Sequence, residues 1–328
     1  MVDSSFFSCP EKGCAYVPLT VSADGLCCPN GHMFPYVHGK LIPVFACAPE
    51  GTNDYTLVDA AKIHDNYLHW LYETFGTNEA ALRNSLIARL GVKKGDVVLV
   101  TGAGAGNDLP FLVQHMEGEG TIHAQDISRQ MLLVGAERYG KLSSHSLKLC
   151  FSVSDATNLP YADNVFDAAY HFGGINLFPN IKQGISEMNR VVKPGGRVVF
   201  GDEGIAPWLK PTELWKMLVK NNPLYAHEAP LSLLPETARH VKLSWELHNC
   251  FYVIEFEVSD SQLPINIDIP HVGRRGGSIR KRYFGELEGV DPALRNAVYA
   301  EAEKRGISRV ACLEQLLLQY MQSHRGES

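Results

Sequence analysis

The glycine-rich segment that follows an apolar run near residue 100 is the feature that most constrains the fold. Residues 97–100 are all apolar, and glycines occupy every second position from Gly102 to Gly106. Glycine has no Cβ, so the backbone can turn sharply there and a ligand can lie against it. A helix predicted over 108–116 would present free N–H groups to an anionic group such as a carboxylate. The pattern therefore predicts a strand, a tight ligand-binding loop and a helix, in that order.

Strand and helix patterns alternate through the middle of the chain. The predicted strands are 96–100, 121–125, 147–153, 166–170 and 197–200, and the predicted helices between and after them are 108–116, 129–139, 181–192 and 212–219. Such alternation is typical of an α/β fold with a doubly wound, mostly parallel sheet. Two further apolar runs, 241–247 and 251–258, are close enough to form an antiparallel hairpin at the sheet edge. Helical spacing also runs from Tyr55 to Phe75, and a second helical stretch is predicted from Glu79 to Leu90, ending at Gly91.

Two acidic residues support a nucleotide-type cofactor at the glycine loop. Asp126 follows the second predicted strand, where a carboxylate can accept both hydroxyls of a ribose. Asp155 follows the third strand, where it can meet an adenine amino group. Ligands of open α/β sheets bind at the carboxyl ends of the strands. The alternative is a tight turn without a ligand; we favour the cofactor because both acids and the turn at 194–196 occur in register with the loop.

The spacing of the glycines argues against a dinucleotide. The dinucleotide fingerprint is G-x-G-x-x-G, whereas the glycines here fall as G-x-G-x-G and Asn107 occupies the place of the third fingerprint glycine. The lysine of a phosphate-binding loop is also missing. An NAD-dependent dehydrogenase is therefore a distant alternative.

These motifs resemble those of the class I S-adenosylmethionine-dependent methyltransferases, especially the group that includes the quinone-biosynthesis methyltransferases. The resemblance covers residues 60–258, and the segments that carry it are 90–96, 126–131, 155–161, 166–167 and 191–196. It implies a Rossmann-like seven-stranded sheet whose last strand is antiparallel, with S-adenosyl-L-methionine as the cofactor. The residues expected to bind that cofactor are Thr101, Gly102, Ala103, Gly104, Gly106, Asn107, Asp126, Ile127, Met131, Asp155, Ala156 and His171.

The strand before the loop departs from the family pattern. At its end the family usually has Glu or Asp, and this chain has Thr101. A threonine can donate and accept hydrogen bonds, but it places no negative charge opposite the ammonium group of the cofactor. A non-catalytic protein that binds the cofactor or a partner is therefore an alternative to an enzyme.

Three polar residues are candidates for the chemistry. Methyl transfer depends on in-line positioning, and a hydroxyl acceptor also needs a base near its proton. His171 follows the fourth predicted strand and is the candidate catalytic base; the alternative is that it hydrogen-bonds the loop or lines the cofactor. Asp202 and Glu203 follow the fifth strand. We expect these two acids to order loops or bind substrate rather than to act as bases.

The first residues of the chain carry a pattern of metal ligands. Four of the eight cysteines lie within the first 28 residues. Cys9 with Cys14 forms one predicted knuckle and Cys28 with His32 the other, which suits a tetrahedral zinc ion. Cys27 is a substitute ligand, and metal-free thiols in a degenerate ribbon are the alternative, because C-x4-C is looser than the usual C-x2-C.

The cysteine-containing segment also resembles known zinc ribbons. Residues 28–34 are similar to the ribbon of bacterial rRNA guanine methyltransferases, and 36–45 resemble a small zinc-ribbon activator of RNA and protein methyltransferases. The resemblance implies a metal-binding module over 1–49, followed by a methyltransferase domain over 50–260. The remainder, 261–328, is expected to hold a basic loop and a helix pair that packs or forms a homodimer.

Charge and composition bear on the methyl acceptor. The formal net charge is −6, so the chain lacks an overall basic field for gripping nucleic acid. A local basic stretch at 271–283 can contact phosphates but is equally a loop or a solvated surface; its members are His271, Arg274, Arg275, Arg280, Lys281 and Arg282. A small-molecule acceptor is therefore favoured, with rRNA or tRNA as the alternative. No secretory signal and no apolar run of about 18 residues is visible, so we expect no membrane association and a cytoplasmic location.

Overall fold

The computed structural model describes residues 4–37, 42–49, 55, 57–272, 277–284 and 290–323. Residues 38–41 of the ribbon motif and 273–276 of the basic stretch lie outside these ranges. The chain forms two compact units, Met1–Gln262 and Leu263–Ser328.

A small antiparallel ribbon begins the first unit. Its strands are β1 (Thr20–Val21), β2 (Gly25–Cys27) and β3 (Met33–Pro35), with β2 in the middle. The described residues of the ribbon do not form a separate apolar cluster. Phe7, Leu26 and Phe34 are buried in the same apolar cluster as Phe166 and Phe200 of the central sheet.

A seven-stranded sheet forms the centre of this unit. Its strands are β4 (Val97–Thr101), β5 (Gly120–Asp126), β6 (Leu147–Val153), β7 (Phe166–Phe172), β8 (Val192–Glu203), β9 (Ala238–Glu246) and β10 (Phe251–Val258). The spatial order is β6-β5-β4-β7-β8-β10-β9. Strands β6, β5, β4, β7 and β8 are parallel, whereas β10 is antiparallel to both β8 and β9. The predicted doubly wound α/β class, with seven strands and an antiparallel hairpin, is confirmed.

Helices cover both faces of the sheet. They are α1 (Ala60–Thr74), α2 (Glu79–Ala88), α3 (Leu109–His115), α4 (Arg129–Tyr139), α5 (Ile181–Val191) and α6 (Glu213–Asn221). Two large clusters of buried apolar side chains lie against the sheet, one including Leu86 and Val98 and the other including Leu99 and Ile185. Val98 and Leu99 are neighbours on β4 whose side chains point to opposite faces, so the sheet is buried on both sides.

Two boundaries differ from the sequence expectations. Helix α1 begins at Ala60 rather than near Tyr55, and Val58 is 79 % exposed. The turn expected at 194–196 is a bulge inside β8, because Phe166 pairs with Val192 and Ala168 pairs with Arg197. Helix α5 therefore passes directly into the strand.

The second unit is helical. It contains α7 (Ile279–Phe284), α8 (Pro292–Arg305) and α9 (Arg309–Ser323), and α9 contacts both other helices. Several large apolar side chains of α9 are exposed, among them Leu317, Leu318, Tyr320 and Met321. Dimerisation through this face remains a prediction, which sedimentation equilibrium would test. Among the residues described, no helix has the length and apolar character needed to span a bilayer.

Candidate functional site

The glycine loop between β4 and α3 turns through three left-handed residues. Gly102, Gly104 and Gly106 have φ of 58°, 53° and 81°, a region in which any other residue is strained. Gly102 also has a steric role, since a Cβ there would lie 2.8 Å from the Cε1 atom of His171. The alternating glycines are thus required by both backbone conformation and close packing.

Asp126 connects this loop to the start of α4. Its Oδ2 accepts a hydrogen bond of 2.7 Å from the Gly104 N–H, and its Oδ1 accepts one of 2.7 Å from the Ser128 N–H. Burial raises the pKa of the carboxyl above its ordinary value, although these N–H donors act in the opposite direction. The carboxylate is therefore held in a fixed orientation at the end of β5.

A cavity of about 360 Å³ lies at the carboxyl ends of the parallel strands. Ten of the twelve expected cofactor residues line it: Gly102, Ala103, Gly104, Asn107, Asp126, Ile127, Met131, Asp155, Ala156 and His171. Thr101 and Gly106 do not line it. Thr101 is fully buried, with its hydroxyl 3.2 Å from His171 Nδ1 and 3.7 Å from the Met188 sulfur, so its side chain lies behind His171 and does not line the cavity.

The cavity lining includes a buried ion pair that the sequence motifs did not predict. Arg83 of α2 donates from Nη1 to the Asp108 carboxylate at 2.7 Å and from Nε to Glu79 at 2.8 Å. Tyr170 of β7 also donates to Asp108, at 3.2 Å. Arg83 is only 6 % exposed, and both it and Asp108 line the cavity beside the glycine loop. The only sequence signal was that Arg83 interrupts the apolar face of a predicted helix.

The polar lining fits a cofactor with both charged and hydrogen-bonding groups. Among the described residues, four cavity-lining side chains have a buried polar atom without a hydrogen-bond partner: His64 (Nδ1), Tyr72 (the hydroxyl oxygen), Asn107 (Oδ1) and His171 (Nε2). Buried polar atoms are normally paired, so unpaired ones around a cavity point to a ligand that pairs with them. A methionine-type amino acid carrying a nucleoside offers both donors and acceptors to such atoms.

His171 is positioned as a neutral hydrogen-bond acceptor. Its Nδ1 lies 2.9 Å from the Thr101 carbonyl oxygen, which can only accept, so Nδ1 carries the proton. Burial lowers the pKa of His171 to about 4, and its Nε2 keeps a lone pair. A base with so low a proton affinity is poorly matched to neutral pH. The geometry thus agrees better with loop and cofactor contacts than with general-base chemistry, and the catalytic role stays a prediction.

Asp202 orders the loop that follows β7. Its Oδ2 accepts from the Gly174 N–H at 3.0 Å and from the Asn176 N–H at 2.7 Å. Burial and the neighbouring Glu203 raise the pKa of the Asp202 carboxyl well above its usual range. This side chain is fully buried and does not line the cavity, whereas Gly173 and Gly174 of the loop do.

The cavity lining also includes apolar side chains and a second polar pair. Its apolar members are Leu68, Leu71, Phe172, Leu177, Phe178, Pro179, Leu224 and Phe251. Among them, the Tyr67 hydroxyl of α1 donates to Glu203 Oε1 at the end of β8 over 2.9 Å. Both partners line the cavity. From helix periodicity alone, Tyr67 was expected in a hydrophobic core rather than in a binding site.

The four residues expected to bind metal meet in the ribbon. The ligand atoms of Cys9, Cys14, Cys28 and His32 all lie within 4.8 Å of one another. Cys14 Sγ is 3.7 Å from Cys28 Sγ, and His32 Nδ1 is 3.4 Å from Cys14 Sγ and 3.6 Å from Cys9 Sγ. Tetrahedral zinc with its usual bond lengths requires edges of about 3.8 Å between sulfurs and about 3.6 Å between sulfur and nitrogen. The donor set and its spacing therefore fit zinc, and Cys27 is not part of the cluster.

The segment after the ribbon connects it to the cavity. The Phe45 N–H donates to the Val153 carbonyl at 2.8 Å, and the Val153 N–H donates to the Pro43 carbonyl at 2.9 Å, beside the edge strand β6. Three residues later the Ala48 N–H donates to the Ile127 carbonyl at 3.1 Å. Ala48 and Ile127 both line the cavity.

Comparisons with known proteins agree with this arrangement. Residues 98–196 match a family model described as a methyltransferase domain. The chain is 34 % identical over 122 residues to the ubiquinone/menaquinone biosynthesis C-methyltransferase UbiE of Bdellovibrio bacteriovorus. The aligned region covers 37 % of this chain and 50 % of that protein. The chain is 32 % identical over 123 residues to the methyltransferase GfsG of Streptomyces halstedii, covering 37 % and 42 %. The chain thus spans about half the length of the curated relatives it matches.

Solved structures include similar chains. One is the phosphoethanolamine N-methyltransferase 2 of Haemonchus contortus in complex with S-adenosyl-L-methionine. It shares 16 % sequence identity, with a TM-score of 0.49, and the match covers 66 % of this chain and 62 % of that one.

Proposed function

We propose that this chain, whose central part is a class I S-adenosylmethionine-dependent methyltransferase domain, transfers a methyl group to a small, largely apolar acceptor. The observation that carries the proposal is the single cavity in which the glycine loop and Asp126 meet an apolar wall. Polar and apolar lining residues in one cavity suit a cofactor and an acceptor held side by side. Such closeness accelerates transfer because the two reactants no longer have to meet from solution.

We assign cofactor roles to three polar residues of the cavity lining. Asp126 accepts the ribose hydroxyls, and Asp155 lies where an adenine amino group can donate to it. Arg83 carries five N–H donors, of which two are engaged by Glu79 and Asp108, so it can also bind the carboxylate of the methionine moiety. When bound, the cofactor supplies a methyl group already activated on a sulfonium.

The apolar lining of the cavity favours a small-molecule acceptor over RNA. A wall of leucine and phenylalanine side chains excludes water and offers few partners to a nucleotide. Relatives named for ubiquinone, menaquinone and demethylmenaquinone agree with an apolar ring as the acceptor. RNA remains the alternative, on the strength of the ribbon.

We also propose that Cys9, Cys14, Cys28 and His32 bind a structural zinc ion. Four protein ligands leave no open coordination position for water or substrate, so the metal would stabilise the ribbon and take no part in the chemistry.

Titration calorimetry with S-adenosylhomocysteine tests the cofactor assignment. Asp126→Asn should weaken binding by about 1–3 kcal/mol, because the ribose hydroxyls lose a charged acceptor. Asp163→Asn, which changes a carboxylate 64 % exposed outside the cavity, is the matched control and should bind as the wild type does. Binding of NAD by the wild type without binding of S-adenosylhomocysteine would contradict the proposal.

The acceptor class needs a separate experiment. The protein should transfer a labelled methyl group from the cofactor into a small-metabolite extract and leave total RNA unlabelled. Label in RNA alone would replace the small acceptor with the alternative.

A further inference from the structure

Asn30 connects the two halves of the candidate metal site. It lies in a β-turn over 28–31, which closes with a hydrogen bond of 2.9 Å from the Gly31 N–H to the Cys28 carbonyl. Within this turn, the Asn30 backbone N–H donates to Cys28 Sγ at 3.4 Å. The side-chain amide of Asn30 donates from Nδ2 to Cys14 Sγ at 3.2 Å. One residue therefore donates to a sulfur of each knuckle.

These donors matter because the candidate site is rich in negative charge. Three cysteine thiolates carry one more negative charge than a zinc ion neutralises, and N–H groups that point at the sulfurs offset part of this excess. A carboxylate in place of the Asn30 amide would have no N–H to donate at neutral pH. It would also add a negative charge at a position 3.2 Å from the Cys14 sulfur. Such a change would therefore weaken the binding of a metal.

The residue that follows Asn30 makes this amide chemically vulnerable. Asn30 and Gly31 form the only Asn-Gly pair in the sequence. Spontaneous deamidation is fastest at such pairs, because glycine has no side chain to hinder the attack of its backbone nitrogen on the asparagine amide. Both reacting groups are engaged in the structure, the Gly31 N–H by the Cys28 carbonyl and the Asn30 Nδ2 by the Cys14 sulfur. The folded metal site thus holds the pair in an arrangement that opposes the reaction.

We infer that Asn30 is a deamidation site that a bound metal protects, and that its deamidation prevents the metal from binding again with full affinity. This inference rests on the proposed structural zinc ion. Loss of zinc allows the two knuckles to separate, which releases both the Asn30 amide and the Gly31 N–H. A transient loss of metal then becomes a lasting one.

The reaction needs only water. The Gly31 backbone nitrogen loses its proton and forms a bond to the side-chain carbonyl carbon of Asn30, while the bond from that carbon to Nδ2 breaks. Nδ2 leaves with its own hydrogens and that proton as ammonia, and a five-membered succinimide ring remains. Water then opens the ring at either carbonyl, which yields aspartate or isoaspartate. Both products carry a carboxylate and no side-chain amide.

Peptide mass spectrometry of the full-length protein tests the protection. Three samples are incubated at the same pH and temperature: zinc-loaded protein, protein stripped of zinc by a chelator, and chelated protein in urea, which sets the upper limit of the rate. Deamidation of Asn30 should be about tenfold faster in the stripped protein than in the zinc-loaded protein, because local opening frees both reacting groups. Equal rates in these two samples would overturn the inference.

The zinc affinity of Asn30→Asp tests the consequence of the reaction. Competition with a chromophoric chelator should show a fall of about 10- to 100-fold, the usual effect of losing a group that hydrogen-bonds a metal ligand. Asn30→Ala removes the donor without adding a charge, so it should lose less affinity. Val21→Asp adds a carboxylate at a side chain that is 54 % exposed on the same ribbon, and it should bind zinc as the wild type does.

Further measurements separate this inference from its premise. Binding of S-adenosylhomocysteine and the melting temperature establish that each zinc-loaded variant is folded. Wild-type zinc affinity in Asn30→Asp would overturn the inference while leaving the structural zinc ion in place. Failure of the wild type to bind zinc in the same competition would instead overturn the proposed metal.

Discussion

At the scale of single residues, the cavity depends on which way a few polar atoms point. His171 donates from Nδ1 to a backbone carbonyl, so only Nε2 is left to act on a ligand. Asp126 is held by two backbone N–H groups, which keeps its carboxylate oriented before a ribose arrives. Thr101 lies behind His171, so its lack of charge does not alter the lining. Hydrogen bonds to the backbone thus fix the orientation in which His171 and Asp126 face a ligand.

The buried imidazole predicts a pH-dependent stability. The pKa of His171 is about 4 in the folded protein and about 6.5 when unfolded. Between these values the unfolded chain binds a proton that the folded chain does not, so stability is lost as the pH falls below 6.5. From pH 7 to pH 5, the free energy of unfolding of the wild type should fall by about 2 kcal/mol more than that of His171→Asn. Urea denaturation at both pH values measures this, and equal losses would show that His171 is not buried as a neutral group.

At the scale of elements, the segments that follow β4, β5, β6 and β7, together with the end of β8, build the site. They follow parallel strands that are neighbours in the sheet, so their first residues meet at one edge. The loop after β7 depends on its neighbour, because Asp202 at the end of β8 accepts the N–H groups of Gly174 and Asn176. Asn176 in turn donates to the Glu203 carbonyl at 2.7 Å and accepts from the Tyr252 hydroxyl at 2.9 Å.

Removal of the Asp202 carboxylate should therefore loosen a loop rather than remove a ligand. In Asp202→Ala the N–H groups of Gly174 and Asn176 lose their acceptor, and amide hydrogen exchange at both should accelerate. The affinity for S-adenosylhomocysteine should fall with it, since Gly173 and Gly174 line the cavity. In Asp202→Asn one oxygen remains, so exchange should be intermediate. Unchanged exchange at these amides in the alanine variant would contradict the role.

At the scale of the first unit, the ribbon and the sheet share one core. Cys9, Cys14 and Cys28 belong to the same buried cluster as Leu99 and Phe256 of the sheet. The segment from Pro43 to Ala48 then runs from the edge of β6 to the cavity. A structural change in the ribbon can therefore alter the position of the cavity-lining Ala48 through these main-chain hydrogen bonds.

Loss of the metal should affect both regions. Elemental analysis should find about one zinc per chain, and Cys9→Ser with Cys14→Ser should release it. We expect the ribbon to unfold locally and the affinity for S-adenosylhomocysteine to fall about tenfold, because Ala48 loses its support (about 1.4 kcal/mol). Cys27→Ser is the matched control: it changes the neighbour of a ligand and should keep the metal. A metal-free wild type with a protease-resistant ribbon would contradict the zinc assignment.

Local sequence determined the parts of this protein that depend on backbone conformation or on short spacing. The glycine loop, Asp126, Asp155 and the four candidate metal ligands were all predicted in this way, because alternation of strands and helices brings strand ends to one edge and tight turns bring cysteines together. Tertiary packing alone decided the rest. Arg83 lies on α2 and Tyr67 on α1, and an apolar helix face looks the same in the sequence whether it covers a core or a cavity. Their partners, Asp108 and Glu203, are 25 and 136 residues away. Which side chains meet across such distances depends on how the helices pack on the sheet, and short-range sequence patterns do not encode that geometry.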